Sequence, residues 1–378
     1  DYGGSILGRL SAVFQRAIKS AFPSVEVPLL LTEATLAKFG DYQCNSAMSI
    51  SAKLKAAGVA KPHTQVAQEI VAQLEPCELI QKTEIPPNTG FINVYLNEAF
   101  IAKQCGEYAR KGINLPRVAS RRVIVDFSSP NIAKEMHVGH LRSTIIGDAI
   151  CNLFEAVGFD VLRINHIGDW GTQFGMLIAH LFDRFPDFQS SPPAISDLQQ
   201  FYKDSKKRFD EDADFKKRAY ECVVALQRKD PEFIQGWTLI CDISRKSNNA
   251  LYDRMNIRIT ERGESFYQER MLDVIEYLKG RNVLREEDGR QVLFPTGCEV
   301  PLTIVKSDGG CTYDTSDMAA IRQRLEEEKA EWLIYVIDSG QSLHMETIFA
   351  AARDLGWYDE AVRRVEHVGF GLVLGEDR

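Results

Sequence analysis

The sequence predicts an α/β protein with a parallel sheet, carrying a mostly helical insertion and preceded by a small α+β unit. Three observations predict it. The apolar run Val123-Ile-Val-Asp-Phe127 reads as a strand and passes through a turn into the apolar-periodic run 141–154, which reads as a helix. Asp160-Val-Leu-Arg-Ile-Asn165 reads as a second strand, ending in the glycine-rich turn His166-Ile-Gly-Asp-Trp-Gly-Thr-Gln-Phe-Gly175. Trp332-Leu-Ile-Tyr-Val-Ile337 reads as a further strand, followed by a helix over 347–355. Strands that alternate with helices imply a parallel sheet with right-handed crossovers.

Residues 1–115 read as the α+β unit. Positions 6, 7, 10, 13, 14, 17 and 18 are apolar, so 6–21 forms an amphipathic helix, stopped by Pro23. Residues 47–57 and 64–74 predict two more helices. Residues 90–96 alternate and predict a strand, entered through the turn Asn88-Thr-Gly90. Residues 115–122 hold a proline, a serine and basic residues and read as a linker. The second domain then runs over 116–378. Its insertion spans about 187–300, mostly helical and highly charged to 282, with strand patterns returning at 291–294 and 302–305.

Composition narrows the function. The 378 residues suffice for two or three domains, and 44% hydrophobic residues allow a sizeable core. A net charge of -8 and a pI near 5.5 argue against wholesale coating of nucleic acid, while leaving room for a local basic track. The eight cysteines are scattered, with no C-x-x-C and no Cys/His spacing suited to zinc, so reduced thiols, a cytoplasmic protein and no resident metal are expected. No apolar run is long enough to span a membrane. The start, Asp1-Tyr-Gly-Gly, lacks methionine and any signal-peptide pattern, which suggests a trimmed or partial chain.

The chemistry concentrates at the first strand–helix junction. His137 and His140 flank Gly139 where the helix is expected to begin. A helix N-terminus offers free N–H groups and positive dipole charge, which favour phosphate. Two histidines three apart share a face of the first turn, and Gly139 lets a ligand approach the backbone. The pattern describes a triphosphate cradle with imidazole donors. The plainer reading is that both histidines only cap the helix. Tyr313 and Asp317, four apart, share a helix face, and Asp314 and Asp317 crowd a helix start. That is either a capping cluster or a carboxylate fork for a planar guanidinium. Gln341 and His344 follow a strand, at the sheet edge where ligands bind in open α/β folds. The charged run 203–218 is most simply a solvated helix face.

The run Ser-Ser-Pro-Asn-Ile-Ala-Lys-Glu-Met-His-Val-Gly-His-Leu-Arg-Ser-Thr, 128–144, closely resembles the H-x-G-H signature of class I aminoacyl-tRNA synthetases, specifically the arginyl family. Gly168-Asp-Trp-Gly-Thr-Gln-Phe-Gly175, Thr312-Tyr-Asp-Thr-Ser-Asp-Met-Ala-Ala320 and Ile334-Tyr-Val-Ile-Asp-Ser-Gly-Gln-Ser-Leu-His344 resemble the same family in the same order, in wording closest to animal-type cytosolic members. The resemblance implies a Rossmann-like catalytic domain and ATP-dependent attachment of L-arginine to its tRNA through an arginyl-adenylate. It implies an arginine pocket of Asp126, Ser129, Pro130, Asn131, His140, Tyr313, Asp317 and Gln341, with Asp126 on the α-ammonium. It implies ATP contacts at His137, Gly139, His140, His344 and, in His367-Val-Gly-Phe-Gly371, Gly369 and Phe370 against adenine. Mg²⁺ would accompany the phosphates. In the N-terminal add-on domain, Asn88, Phe91 and Asn93 match positions that meet the D-loop of tRNA; ordinary strand packing is the plainer reading.

The family continues into a lysine-bearing loop and a helical anticodon-binding domain, which the run to Gly375-Glu-Asp-Arg378 lacks. Lys134 is the candidate to compensate for the loop. The chain is therefore expected to be part of a larger monomeric enzyme, with other synthetases of a complex as candidate partners. It should bind arginine but charge tRNA poorly. Two other classes stay open: an H-x-G-H nucleotidyl transferase or ligase acting on a small substrate, and a non-catalytic synthetase-like binding protein.

Overall fold

The computed structural model describes residues 5–112, 115, 118–191 and 198–371. Residues 1–4, positions 116 and 117 of the expected linker and the end at 375–378 lie outside the described residues. The chain forms two compact units, 1–117 and 118–378.

The first unit contains α1 (Ile6–Ala21), β1 (Leu31–Glu33), β2 (Tyr42–Cys44), α2 (Ser46–Ala56), α3 (His63–Ala72), β3 (Ile80–Glu84), β4 (Ile92–Leu96) and α4 (Glu98–Lys111). Leu10, Phe14, Ala17 and Ile18 of α1 bury their stripe against Ile50, Val66, Ile70, Ile92 and Val94. The four strands pair antiparallel in the order β1-β2-β4-β3. Periodicity gives α1 to the residue and α2, α3 and β4 within two residues. The three-residue strands β1 and β2 are too short to show a period.

The second unit contains β5 (Arg122–Asp126), α5 (Val138–Val157), β6 (Asp160–Asn165), α6 (Gln173–Arg184), α7 (Leu198–Glu211), α8 (Ala213–Gln227), α9 (Pro231–Arg254), β7 (Thr260–Glu261), α10 (Gln268–Gly280), β8 (Leu284–Glu287), β9 (Arg290–Leu293), β10 (Leu302–Val305), α11 (Tyr313–Glu326), β11 (Trp332–Tyr335), α12 (Ser342–Asp354) and β12 (Arg364–His367). The expected parallel sheet is present, in the order β12-β11-β5-β6-β7. From β5 the chain builds outward one way through β6 and β7, then returns to build the other way through β11 and β12. The switch point lies between β5 and β11, where open sheets place ligands beyond the strands' carboxyl ends. Asp126 and Tyr335 are paired neighbours at that edge.

Two readings differ. The segment expected as one insertion is divided in space. Helices α7 to α9 pack with α6 around Phe174, Leu177, Phe215 and Ile240. Beyond them β7 joins the main sheet, and Met271, Val274 and Leu278 of α10 belong to the main core with Met318 and Leu333. Strands β9 and β10, where strand patterns return in the sequence, form with β8 a separate antiparallel sheet. The glycine-rich turn after β6 ends early. Helix α6 begins at Gln173, and Gly175 sits inside it because a Cβ there would lie 2.1 Å from the Ala219 carbonyl oxygen.

Candidate active site

A cavity of about 700 Å³ opens at the switch point. Its wall includes Asp126, Ser129, Asn131, His137, Gly139, His140, Asp317, Gln341, His344 and Phe370, all singled out from the sequence. They come from five separate stretches of chain.

The turn after β5 is strained. Ser128 and Ser129 have φ of 74° and 49°, the left-handed region that costs a non-glycine residue energy. Hydrogen bonds hold them there. Ser128 N–H donates to Ser143 Oγ at 2.8 Å and Ser129 N–H to Asn165 Oδ1 at 2.9 Å. The Ser128 hydroxyl meets the Tyr252 hydroxyl at 2.7 Å. Asn131 pairs by a parallel bridge with Gly168, where a Cβ would lie 2.1 Å from Asn131 Oδ1. That clash is why the second motif needs glycine at 168.

At one end of the cavity α5 begins. His137 is its N-cap rather than a first-turn residue, with extended backbone, and His140 lies in the first turn. The two imidazoles stack at 3.8 Å. Gly139 N–H donates to His137 Nδ1 and His137 N–H donates to His140 Nδ1, both at 3.1 Å. Each Nδ1 thus accepts, which leaves the proton of a neutral ring on Nε2. Burial, aided by the charge of His137, pushes His140 down to about 4, so its ring is neutral at neutral pH. The histidines do cap the helix, and capping is what fixes their tautomer. Gly139 serves this stack as well: a Cβ there would lie 2.9 Å from His137 Cε1.

At the other end α11 begins. Thr312 caps it and Asp314 Oδ2 accepts from Thr303 N–H at 2.6 Å, so Asp314 is the structural carboxylate. Asp317 faces the cavity. His344, in the first turn of α12, donates from Nε2 to Asp317 Oδ2 at 2.7 Å, and its Nδ1 lies 3.6 Å from Asp314 Oδ1. Burial alone would lower the His344 pKa, but the hydrogen bond and charge of Asp317 with the charge of Asp314 outweigh it and raise it. The Tyr313 ring stands 5.3 Å from the His344 ring and is 73% exposed, at the rim rather than in the wall.

Sequence reasoning missed the floor. Arg324, from the far end of α11, is fully buried. Its Nη1 lies 2.7 Å from Asp126 Oδ2, close for charge attraction, but Nη1 and Nε find no well-directed acceptor. Its Nη2 donates to His166 Nδ1 at 3.3 Å, and Tyr335 stacks on the guanidinium at 5.1 Å. Asp126 also accepts from the Ser129 hydroxyl at 3.1 Å. Its carboxylate thus lines the cavity with the Arg324 charge beside it. Glu264, in the turn after β7, also lines the cavity. Burial, with the charges of Asp169 and Asp317, pushes its carboxyl up to about 7.

The family model for class I tRNA synthetases of the arginine type, catalytic domain, matches residues 109–378, and that for the arginyl-tRNA synthetase N-terminal domain matches 8–96. The chain belongs to the arginyl class I tRNA synthetase family. It is 61% identical over its whole length to a protein of Caenorhabditis elegans named probable cytoplasmic arginine–tRNA ligase, covering 53% of that protein. It is 57% identical over 99% of its length to the cytoplasmic arginine–tRNA ligase of Homo sapiens, covering 57% of it. The chain thus spans a little over half the length of these relatives. The crystal structure of the Plasmodium falciparum arginyl-tRNA synthetase superposes with a TM-score of 0.82 at 35% identity, over 98% of this chain and 65% of that one.

Of the other residues expected from the synthetase resemblance, several are not gathered into the cavity. Lys134 lines a neighbouring cavity of about 520 Å³ and lies 5.6 Å from the Tyr202 ring centre. Pro130 is buried, its carbonyl accepting from Gly168 N–H. Gly369 packs on Ser339, whose Oγ would lie 2.8 Å from a Cβ there. Phe370 is in the wall, with the Arg142 guanidinium 5.5 Å from its ring and Arg142 Nη1 donating to the Gly371 carbonyl at 2.7 Å. In the first unit Asn88 is exposed at φ 55° and Phe91 is half-buried. Asn93 is 2% exposed and its Oδ1 accepts from Gln43 Nε2 at 2.8 Å, so strand packing describes it and its amide is not presented to a base.

Proposed function

We propose that this chain is the arginine-activating part of a cytoplasmic arginine–tRNA ligase. One observation carries the reading. A single cavity holds imidazole Nε2 donors on a helix N-terminus at one end and the carboxyl groups of Asp317 and Glu264 at the other. The first end suits a triphosphate and the second a guanidinium.

The arginine guanidinium meets Asp317 and Glu264, with Tyr313 closing the rim and Gln341 beside it. Ser129, Asn131 and His140 face the amino-acid backbone. The arginine carboxylate attacks the α-phosphorus of ATP, forming the adenylate while pyrophosphate leaves with the electron pair of the broken P–O bond. Such a step needs alignment and charge stabilisation rather than a covalent enzyme intermediate. His137 and His140 donate from Nε2 to phosphate oxygens as charge moves to the leaving group. Phe370 and Arg142 border the adenine side, and His344 belongs with the carboxylates instead. Among the described residues no group of three or more His, Cys, Asp or Glu could hold a metal, so Mg²⁺ fits only as the companion of the ATP phosphates. Lysine is rejected because a compact ammonium cannot satisfy a fork shaped for a planar cation. Asn88 and Phe91 are the tRNA contacts retained in the first unit. A monomer, with other synthetases as candidate partners, completes the reading.

Calorimetric titration with L-arginine and with L-lysine, each with a non-hydrolysable ATP analogue and with and without arginine tRNA, tests it. Arginine binding with lysine silent is expected. Equal affinity for both, or no arginine binding even with tRNA present, would overturn it. A nucleotidyl transferase acting on some other small substrate would bind the analogue and ignore both amino acids.

A further inference from the structure

His344 stands where the substrate should stand. Its Nε2 takes Asp317 Oδ2 at 2.7 Å, and its Nδ1 faces Asp314 Oδ1 at 3.6 Å. A planar cation wedged between two carboxylates is the arrangement a bound guanidinium would itself make. The imidazolium and the guanidinium cannot both hold Asp317 without placing two positive charges side by side in a partly desolvated pocket. Resting on the arginine reading above, we propose that His344 is the gate of the guanidinium pocket, closing on Asp317 when the pocket is empty and giving way to arginine with loss of its proton to solvent.

The surroundings allow this exchange. From α11 the groups facing His344 are Tyr313, Asp314 and Asp317. Asp314 is anchored to the Thr303 backbone and stays in place, so an unprotonated His344 is still confined. Across the cavity stand Glu264, and His137, His140 and Arg142 of α5. Asp338, which also lines the cavity, is occupied capping the short turn before α12. Asp126 and His166 are tied to Arg324. Among the described residues two neighbours can mimic the effect, Glu264 and Asp314, since burial raises both carboxyls and either would shed a proton when a cation arrives.

The sign is fixed by the chemistry. Arginine binds the form in which His344 is neutral, so affinity rises with pH until the His344 pKa is passed and is flat above it. For one linked proton the apparent Kd changes by up to about tenfold per pH unit on the acidic side.

Two measurements on the chain test this separately from the arginine reading. In the first, NMR of isotope-labelled histidine follows His344, assigned by its loss in His344→Gln. It should titrate above an ordinary histidine and fall back in Asp317→Asn. Titration at or below the ordinary value overturns the gate. In the second, arginine is titrated calorimetrically in buffers of different ionisation enthalpy. Proton release that grows as pH falls through the His344 titration is expected, largely lost in His344→Gln and retained in Glu264→Gln. Arginine binding without proton release, or release lost only in Glu264→Gln, overturns the gate and leaves the arginine reading intact. No arginine binding alongside a raised His344 titration overturns the arginine reading and the gate with it, leaving only the ion pair.

Discussion

The two ends of the cavity use the same side chain in opposite ways. His140 is held neutral, its Nδ1 taken by a backbone N–H and its pKa pushed down to about 4 by burial and by His137. His344, similarly half-buried, meets two carboxylates and moves the other way. Imidazole has no fixed role here. The partner at its second nitrogen decides whether it serves as a neutral donor or as an exchangeable cation. The charge of His140 is therefore insensitive to pH across the physiological range, and that of His344 is not.

The largest effect should come from the floor beneath both ends. Arg324→Ala leaves Asp126 buried without its counter-charge, and a broken buried pair costs about 3–5 kcal/mol. Chemical denaturation should show that loss, and Arg324→Lys should recover only part of it because an ammonium cannot reach both Asp126 and His166. Next, Asp317→Asn should weaken arginine binding toward the lower part of the roughly 2–5 kcal/mol seen when a charge pair loses a partner, since Asp317 is one-third exposed. The affinity for an ATP analogue should stay unchanged; a parallel loss would dissolve the division between the ends. At the other end, His140→Ala should slow arginine activation by about 10²–10³ where a preorganised donor is lost, read by pyrophosphate exchange in the presence of tRNA. Gly139→Ala should act the same way more weakly, by pushing the His137 ring off its stack.

The smallest effect sharpens the contrast most. His140 has a folded pKa below its ordinary 6.5, so the unfolded chain binds its proton first and this residue lowers stability as pH falls from 6.5 toward about 4. His344 has a raised pKa, so its contribution is complete below the ordinary value and is lost as pH rises through the folded one. Replacing His140 with Gln should flatten the acid side of a plot of Tm against pH. Replacing His344 with Gln should remove a stabilisation on that same side. Shifts of the same sign in both variants would contradict the geometry.

The parts legible in the sequence are those with a period or a motif. Helix α1, strands β5 and β6 and the run 128–144 announce themselves through spacing or through strand–turn–helix order. The floor does not. Helix α11 is buried almost all round and carries Asp314, Gln323 and Arg324 inside, so no apolar stripe marks which side is core. Glu264 sits in a short turn after a two-residue strand, with no pattern to raise it. Asp126 shows the opposite failure. Its position at the end of β5 was readable, but its counter-charge comes from a residue 198 positions later, since 324 minus 126 is 198, and only the fold brings them together. The pairing of His344 with Asp317 was hidden for the same reason, although both lay in motifs read from the sequence.

Helix α11 has one further consequence. Its N-terminal half carries the exposed Tyr313 and the one-third exposed Asp317, the pair proposed to select the ligand, while Arg324, three turns on from Tyr313, is locked into the interior. Selection and anchorage are separate ends of one rod. Sequence variation at the first end can explore new side-chain preferences while the second keeps the scaffold intact, so this helix is the natural place for directed evolution to retune what the pocket accepts.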